Sequence, residues 1–190
     1  MTKEKGQIIK EICSALSAGN ETSAKEIARR DYPFQYQNRS KRKITDFDRT
    51  RIFIRDGFID RYSGQQLIYP GTIMLLAHIM PDVFPYHANW KMSVSHIMFW
   101  ELWPTIDHVY PIARGGSDDE SNWVCTSMIK NSAKSTWTLE ELGWQMLPPG
   151  DFDKWDGLIH WFVEFVSINQ EVLTNKYVSG WYKTAKRCLA

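Results

Sequence analysis

Asp107 and His108 stand side by side in the stretch TIDHVYPIARGGSDDESNWVCTSMIKNSAKS, residues 105 to 135, and Asn122, Asn131 and Lys134 follow within it. A carboxylate and an amide are hard oxygen donors of the kind that Mg²⁺ or Mn²⁺ accepts. A histidine is the side chain whose charge changes near neutral pH, so it suits proton transfer. Together these groups could hold one divalent ion and deprotonate a water beside it. A lone Asp-His pair is usually a coincidence and a lone Asn usually a turn or a cap, so the weight rests on the ordered set.

That chemistry requires elements that bring the residues together. Thr105 to Tyr110 alternates and is β-rich, the tract Gly115-Gly116-Ser117-Asp118-Asp119 reads as a loop, and Trp123 to Cys125 reads as a returning strand. Thr126 or Ser127 can then cap a helix that carries Asn131 and Lys134. Neighbours on a strand point to opposite sides, so Asp107 can hold a metal while His108 addresses a water. Asn131, about a turn into the helix, can swing its amide oxygen toward the same ion.

The order and spacing of Asp107-His108, Pro111, Gly115-Gly116, the acidic pair, Asn122, Asn131 and Lys134 resemble the HNH endonuclease motif in its Asp-His…Asn…Asn form. The match covers residues 105 to 135. It implies an α+β fold, a ββα-metal core surrounded by helices, that hydrolyses DNA phosphodiester bonds with one Mg²⁺ or Mn²⁺. His108 and Asn122 are then the catalytic residues, His108 as general base and Asn122 as the residue that ties down the loop and so orients the histidine. Asp107 and Asn131 are the implied metal ligands, and Lys134 and, more weakly, Arg114 are candidate phosphate contacts.

Zinc-containing members of that family carry a Cys-x-x-Cys in an upstream turn and a second pair beside the last motif residue. Here the four positions hold Asp60, Ser63, Ser127 and Lys130, so no structural zinc is expected. The resemblance places the turn at 58 to 69 beside the helix with Asn131, with Asp60 and Lys130 forming a charge pair where ligands would have met.

Away from the motif, apolar residues at helical spacing predict a helix over 3–18 and a short one capped by Thr22 or Ser23 and closed by Pro33. Asp46 to Arg55 reads as a helix, FIDRYSGQQLIY as a hairpin around Ser63-Gly64, and 71–80 and 93–103 as helices, the latter capped by Ser93 or Ser95. TLEELGW at 138–144 opens with a capping box. From 151 to the end the period is helical, with Trp155, Trp161, Phe162, Phe165 and Trp181 read as packing. His78, His87, His96 and His160 lack a second ligand at metal spacing and read as structural.

At 190 residues the chain fits one domain, divided here as N-terminal helices and basic connector (1–43), nuclease core with its upstream hairpin (44–145) and aromatic-rich helices packed on the core (146–190). Three well-separated cysteines fit a reducing compartment, and the absence of an export signal or a spanning apolar run predicts a cytoplasmic protein. A net charge of +1 says little about partners, but basic residues cluster between 29 and 55. Beside the motif, Arg39, Lys41, Arg42 and Lys43 read as contacts to a DNA backbone. DNA is thus the expected partner, no membrane is expected, and double-strand cleavage would need a homodimer or two visits. Restriction or phage defence are among the roles left open. Two other readings keep the same residues: a non-catalytic nucleic-acid-binding component of a larger machine, and an RNase with the same site.

Overall fold

The computed structural model describes residues 3–34 and 44–190. The chain divides into two compact units, Met1–Lys41 and Arg42–Ala190. Arg39, Lys41, Arg42 and Lys43 lie outside the described residues. No helix among the described residues is long and apolar enough to cross a membrane.

The first unit pairs α1 (Lys5–Ser17) with α2 (Glu21–Asp31) and buries Ile8 and Ala24. Asn20, rather than Thr22 or Ser23, caps α2 by accepting the Ser23 N–H at 3.0 Å. Asparagine is among the best N-cap residues, and here it stands directly before the first helical position.

The second unit mixes helices with one small antiparallel sheet. Its helices are α3 (Asp46–Arg55), α4 (Pro70–Ile79), α5 (Met98–Glu101), α6 (Met128–Lys134), α7 (Leu139–Leu142), α8 (Ile159–Ile168) and α9 (Lys176–Leu189). The two strands, β1 (Pro104–His108) and β2 (Trp123–Ser127), pair with Asp107 opposite Val124 and His108 opposite Trp123. Capping boxes start α3 at Thr45 with Asp48 and α7 at Thr138 with Glu141. Helix α9 packs against α3, α4 and α8. The core around these helices holds Phe53, Phe58, Tyr69, Phe99, Phe162 and Val178. Trp161 departs from the packing expectation and is 40% exposed.

Three expected elements are shorter than their patterns suggest. The segment 93–103 is α-helical only at α5, after a single 3-10 turn at Met92–Val94, because Ser95 is extended and its hydroxyl accepts the His87 N–H at 3.0 Å. His96 Nδ1 accepts the Met98 N–H at 3.1 Å in place of a serine cap. The hairpin at 58–69 reduces to a single bridge between Ile59 and Gln66. Its tip folds into a turn around the Asp60 side chain, and the Arg61 N–H donates to Cys125 on β2 at 2.9 Å, so the ladder cannot continue. Residues 151–158 are turns rather than helix.

The same turn depends on Gly57, at φ +62°, where a Cβ would come within 2.5 Å of the Gly150 carbonyl carbon. Only glycine permits that approach of two backbones.

The basic run is largely neutralised within the fold wherever it is described. Arg30 pairs with Asp31, Arg49 with Asp46, Arg51 with Glu120, and Arg55 with Asp56. Arg55 also donates to the carbonyls of Glu120 and Trp123, which clamps α3 onto the start of β2. This part of the run therefore has a structural role that its charge pattern did not reveal.

Candidate active site

Helix α6 lies against β1, and its two inward side chains, one turn apart, divide the strand between them. The Asn131 amide nitrogen donates to Thr105 Oγ1 at 3.0 Å and to the Ile106 carbonyl at 3.1 Å. A carbonyl can only accept, so the nitrogen must face β1 and the amide oxygen must turn away. That oxygen takes no hydrogen bond among the described residues. Ser127 starts α6 by accepting the Lys130 N–H at 3.2 Å, which fixes the helix on the end of β2.

Lys134 is wholly buried and does not reach the surface as a phosphate contact would. Its ammonium sits 2.9 Å from Asp107 Oδ2 and donates to the His108 carbonyl at 2.7 Å. The physical reason is that an unpaired carboxylate on β1 needs a cation when α6 covers it, and Lys134 lies one turn past Asn131. Tyr62 completes this end of Asp107, donating its phenol O–H to Oδ2 at 2.7 Å. Burial first, and then the Asp107 charge, push the Tyr62 phenol far above its usual range, so it remains a donor. Asp107 Oδ1 has no partner among the described residues, yet it is not sealed in. The one buried polar side-chain atom without a partner among those residues is Thr126 Oγ1.

His108 faces the other way, opposite Trp123 across the sheet. Its Nε2 lies 2.8 Å from Asp118 Oδ1 and 2.8 Å from the Trp123 indole nitrogen. Its Nδ1 bonds to nothing among the described residues. Asn122 ties the loop between the strands by accepting the Tyr110 N–H at 2.8 Å and donating to the carbonyls of Tyr110 (2.9 Å) and Ser117 (2.8 Å). It therefore holds both ends of the segment that brings Asp118 to His108. A cavity of about 340 Å³ lies on this side, its wall including Pro104, Ile106, His108, Arg49, Phe53 and Trp181 but neither Asp107 nor Asn131.

Two polar oxygens, Asp107 Oδ1 and Asn131 Oδ1, are thus left over beside α6, and one ring nitrogen beyond it. Among the described residues no group of three or more His, Cys, Asp or Glu could hold a metal ion. One carboxylate and one amide oxygen still fit Mg²⁺, which binds through few protein ligands and fills its other positions with water and phosphate.

The second expected junction forms with different partners. Asp60 is fully buried, and its carboxylate accepts the N–H groups of Tyr62 (2.9 Å), Ser63 (3.2 Å) and Ser127 (2.9 Å). The upstream turn does dock on the start of α6, but through the Ser127 backbone and not through Lys130. Lys130 instead lies over the Trp144 ring, 5.1 Å from its centroid. Three backbone donors satisfy the carboxylate where it is buried, and the lysine keeps its ammonium near water. Beside this turn, Asp56 joins Arg55 and Arg61 to the Cys125 N–H. Arg114 pairs with Glu141 at 2.8 Å and lies over Trp137, so it too has protein partners.

Tyr62 and Trp123 were not singled out from the sequence, and Asp118 entered only as one of the acidic pair, with no role. The signal for Trp123 lay in the register, since the residue after Asn122 must stand across from the end of β1. Tyr62 gave none, and the motif's acidic pair gave no partner for Asp118, because a loop brings each to its partner. Neither a protein-family model, nor a curated protein, nor a solved structure matches this chain.

Proposed function

We propose that the chain is a divalent-metal-dependent endonuclease of the HNH type that hydrolyses DNA phosphodiester bonds. The observation that carries this reading is the set of unfilled donor atoms on one strand–loop–strand–helix unit: Asp107 Oδ1, Asn131 Oδ1 and His108 Nδ1. Each belongs to a side chain whose remaining polar atoms are fixed by the protein, so each is held in position and still open to a ligand. Fixed groups of that kind lower a barrier because they need not reorganise during reaction.

Asp107 and Asn131 would hold the ion, and Lys134 and Tyr62 would keep Asp107 from turning. Bound there, a divalent ion supplies Lewis-acid polarisation of the phosphoryl oxygen and stabilises charge on the departing 3′ oxygen. His108 Nδ1 takes a proton from water as the water oxygen attacks phosphorus and the bond to the 3′ oxygen breaks, leaving a 5′-phosphate. Asn122 acts at a distance, through the loop. One site cuts one strand.

The test is conversion of supercoiled plasmid by the purified protein in EDTA, Mg²⁺ or Mn²⁺, beside His108→Ala, with an RNA substrate run in parallel. The expected result is nicking that needs the ion and falls about 10²–10⁴-fold in the variant. Cleavage of RNA alone would replace the substrate. DNA binding with no cleavage by the folded protein would overturn the catalytic reading in favour of a binding component.

A further inference from the structure

The His108 ring sits between two groups that ask opposite things of one nitrogen. Asp118 Oδ1, 2.8 Å away, can only accept a proton from Nε2 when the carboxylate is ionised. The Trp123 indole N–H, also 2.8 Å away, can only donate to it. Nε2 carries one proton or none, so the two short contacts cannot both be hydrogen bonds at the same time. They select opposite tautomers. With the proton on Nε2, Nδ1 keeps a lone pair and can act as a base. With Trp123 donating to Nε2, the neutral ring carries its proton on Nδ1 and the free nitrogen has nothing to accept with.

The alternatives are not equally served. The Trp123 N–H also reaches Asp118 Oδ1, at 3.3 Å. In the first tautomer both N–H groups therefore find the carboxylate, and the bond from the imidazole is to a charged acceptor, the stronger class. In the second, Asp118 loses its imidazole donor. We infer that Asp118 is a positioning residue that holds His108 in its basic tautomer, and that Trp123 is the opposing donor which traps the ring in the inactive tautomer whenever Asp118 is absent. The inference rests on the endonuclease reading for its effect on rate, but its structural half does not.

Asp118 lies on the loop between the strands with its side chain 37% exposed, and among the described residues its carboxylate meets the side chains of His108 and Trp123 and not the strand backbone. Its removal should therefore leave the fold intact. Asp118→Ala is expected to lower the nicking rate constant about 100-fold with little change in KM, since the loss concerns only proton transfer. Asp118→Asn, whose amide oxygen still accepts from Nε2–H, should regain a large part of that loss. Adding Trp123→Phe to Asp118→Ala should restore activity several-fold over the single variant, because the donor that enforces the wrong tautomer is gone.

The direct readout is the ¹⁵N spectrum of the His108 ring in metal-free protein, at one pH where the ring is neutral. Wild type should show the proton on Nε2, Asp118→Ala should show it on Nδ1, and the double variant should show a mixture. A ring that keeps its Nε2 proton in Asp118→Ala would overturn the inference whether or not the protein cuts DNA. If the tautomer moves as expected while wild type cleaves nothing, the positioning stands and the endonuclease reading falls.

Discussion

Asp56, Asp60 and Asp107 are all buried carboxylates that meet the same two strands and the helix after them, and they differ in how completely the protein answers them. Asp56 takes Arg55, Arg61 and the Cys125 N–H on its two oxygens. Asp60 takes three backbone N–H groups, also across both oxygens. Asp107 takes Tyr62 and Lys134 on one oxygen and, among the described residues, leaves the other open. Buried polar groups with full complements of partners join segments together, whereas a group fixed on one side and open on the other is available to something outside the chain. The first two acids weld the upstream turn to β2 and α6. The third keeps one oxygen free of protein partners among the described residues, and there we propose that an ion binds.

The largest expected effect comes from the member that belongs to both descriptions. Lys134→Met removes the cation that pairs with Asp107 and the donor to the His108 carbonyl, leaving a buried carboxylate without that charge partner. Breaking such a pair costs about 3–5 kcal/mol, and the thermal midpoint should fall by roughly 10 °C or more. A midpoint within a few degrees of wild type would mean that water, which already has access to Oδ1, also replaces the lysine at Oδ2, and that the cost of breaking the pair is overstated.

Asp60→Ala tests the weld. Three backbone N–H groups lose their acceptor, and at least two of them are too enclosed to gain water, so the expected loss is about 3 kcal/mol. Urea denaturation would measure it. Nicking per folded molecule should remain, because no open donor atom of the site is touched. A stable but inactive Asp60→Ala would erase the distinction between weld and site.

Asn131→Ala reverses that pattern. Its two hydrogen bonds to β1 are worth about 1 kcal/mol each at most, so the protein should stay folded. The free amide oxygen goes with them, and ion-dependent nicking should drop by at least about 100-fold. Measured together, the Asp60 and Asn131 variants separate stability from activity in opposite directions.

How much of this was legible in the sequence differs between the two regions for a physical reason. The strand–loop–strand–helix order, the bounds of α3, the Thr138 capping box and the Ser127 cap follow from local pattern, and the structure contains them. The facing of Asp107 and His108 follows from strand alternation. Partner choice is another matter. Lys134 reads as a phosphate contact because helical period gives its face but not what covers that face. Arg114 reads as a phosphate contact, and Arg55 as one more charge of the basic run, because sequence does not show the carboxylates and carbonyls that tertiary folding brings to them. The turn at 58–69 reads as a hairpin because alternation is blind to a side chain such as Asp60, which captures the N–H groups a ladder would have used.

The smallest effect bears on Lys130, which the upstream turn's resemblance paired with Asp60. Its ammonium lies over the Trp144 ring, and a cation–π contact of this kind contributes about 0.5–1 kcal/mol at a partly exposed site. Lys130→Ala alone cannot tell the two partners apart, since either loss would be of that order. Double-mutant cycles can. Lys130→Ala combined with Trp144→Ala should show a coupling of about 0.5 kcal/mol, whereas Lys130→Ala combined with Asp60→Ala should be additive within about 0.3–0.5 kcal/mol, as for residues that share no contact. Coupling between Lys130 and Asp60 would bring the charge pair back and make the turn's carboxylate part of a surface bridge. Additivity would leave Asp60 as what its burial suggests, an anion held wholly by backbone N–H groups at the point where two turns meet.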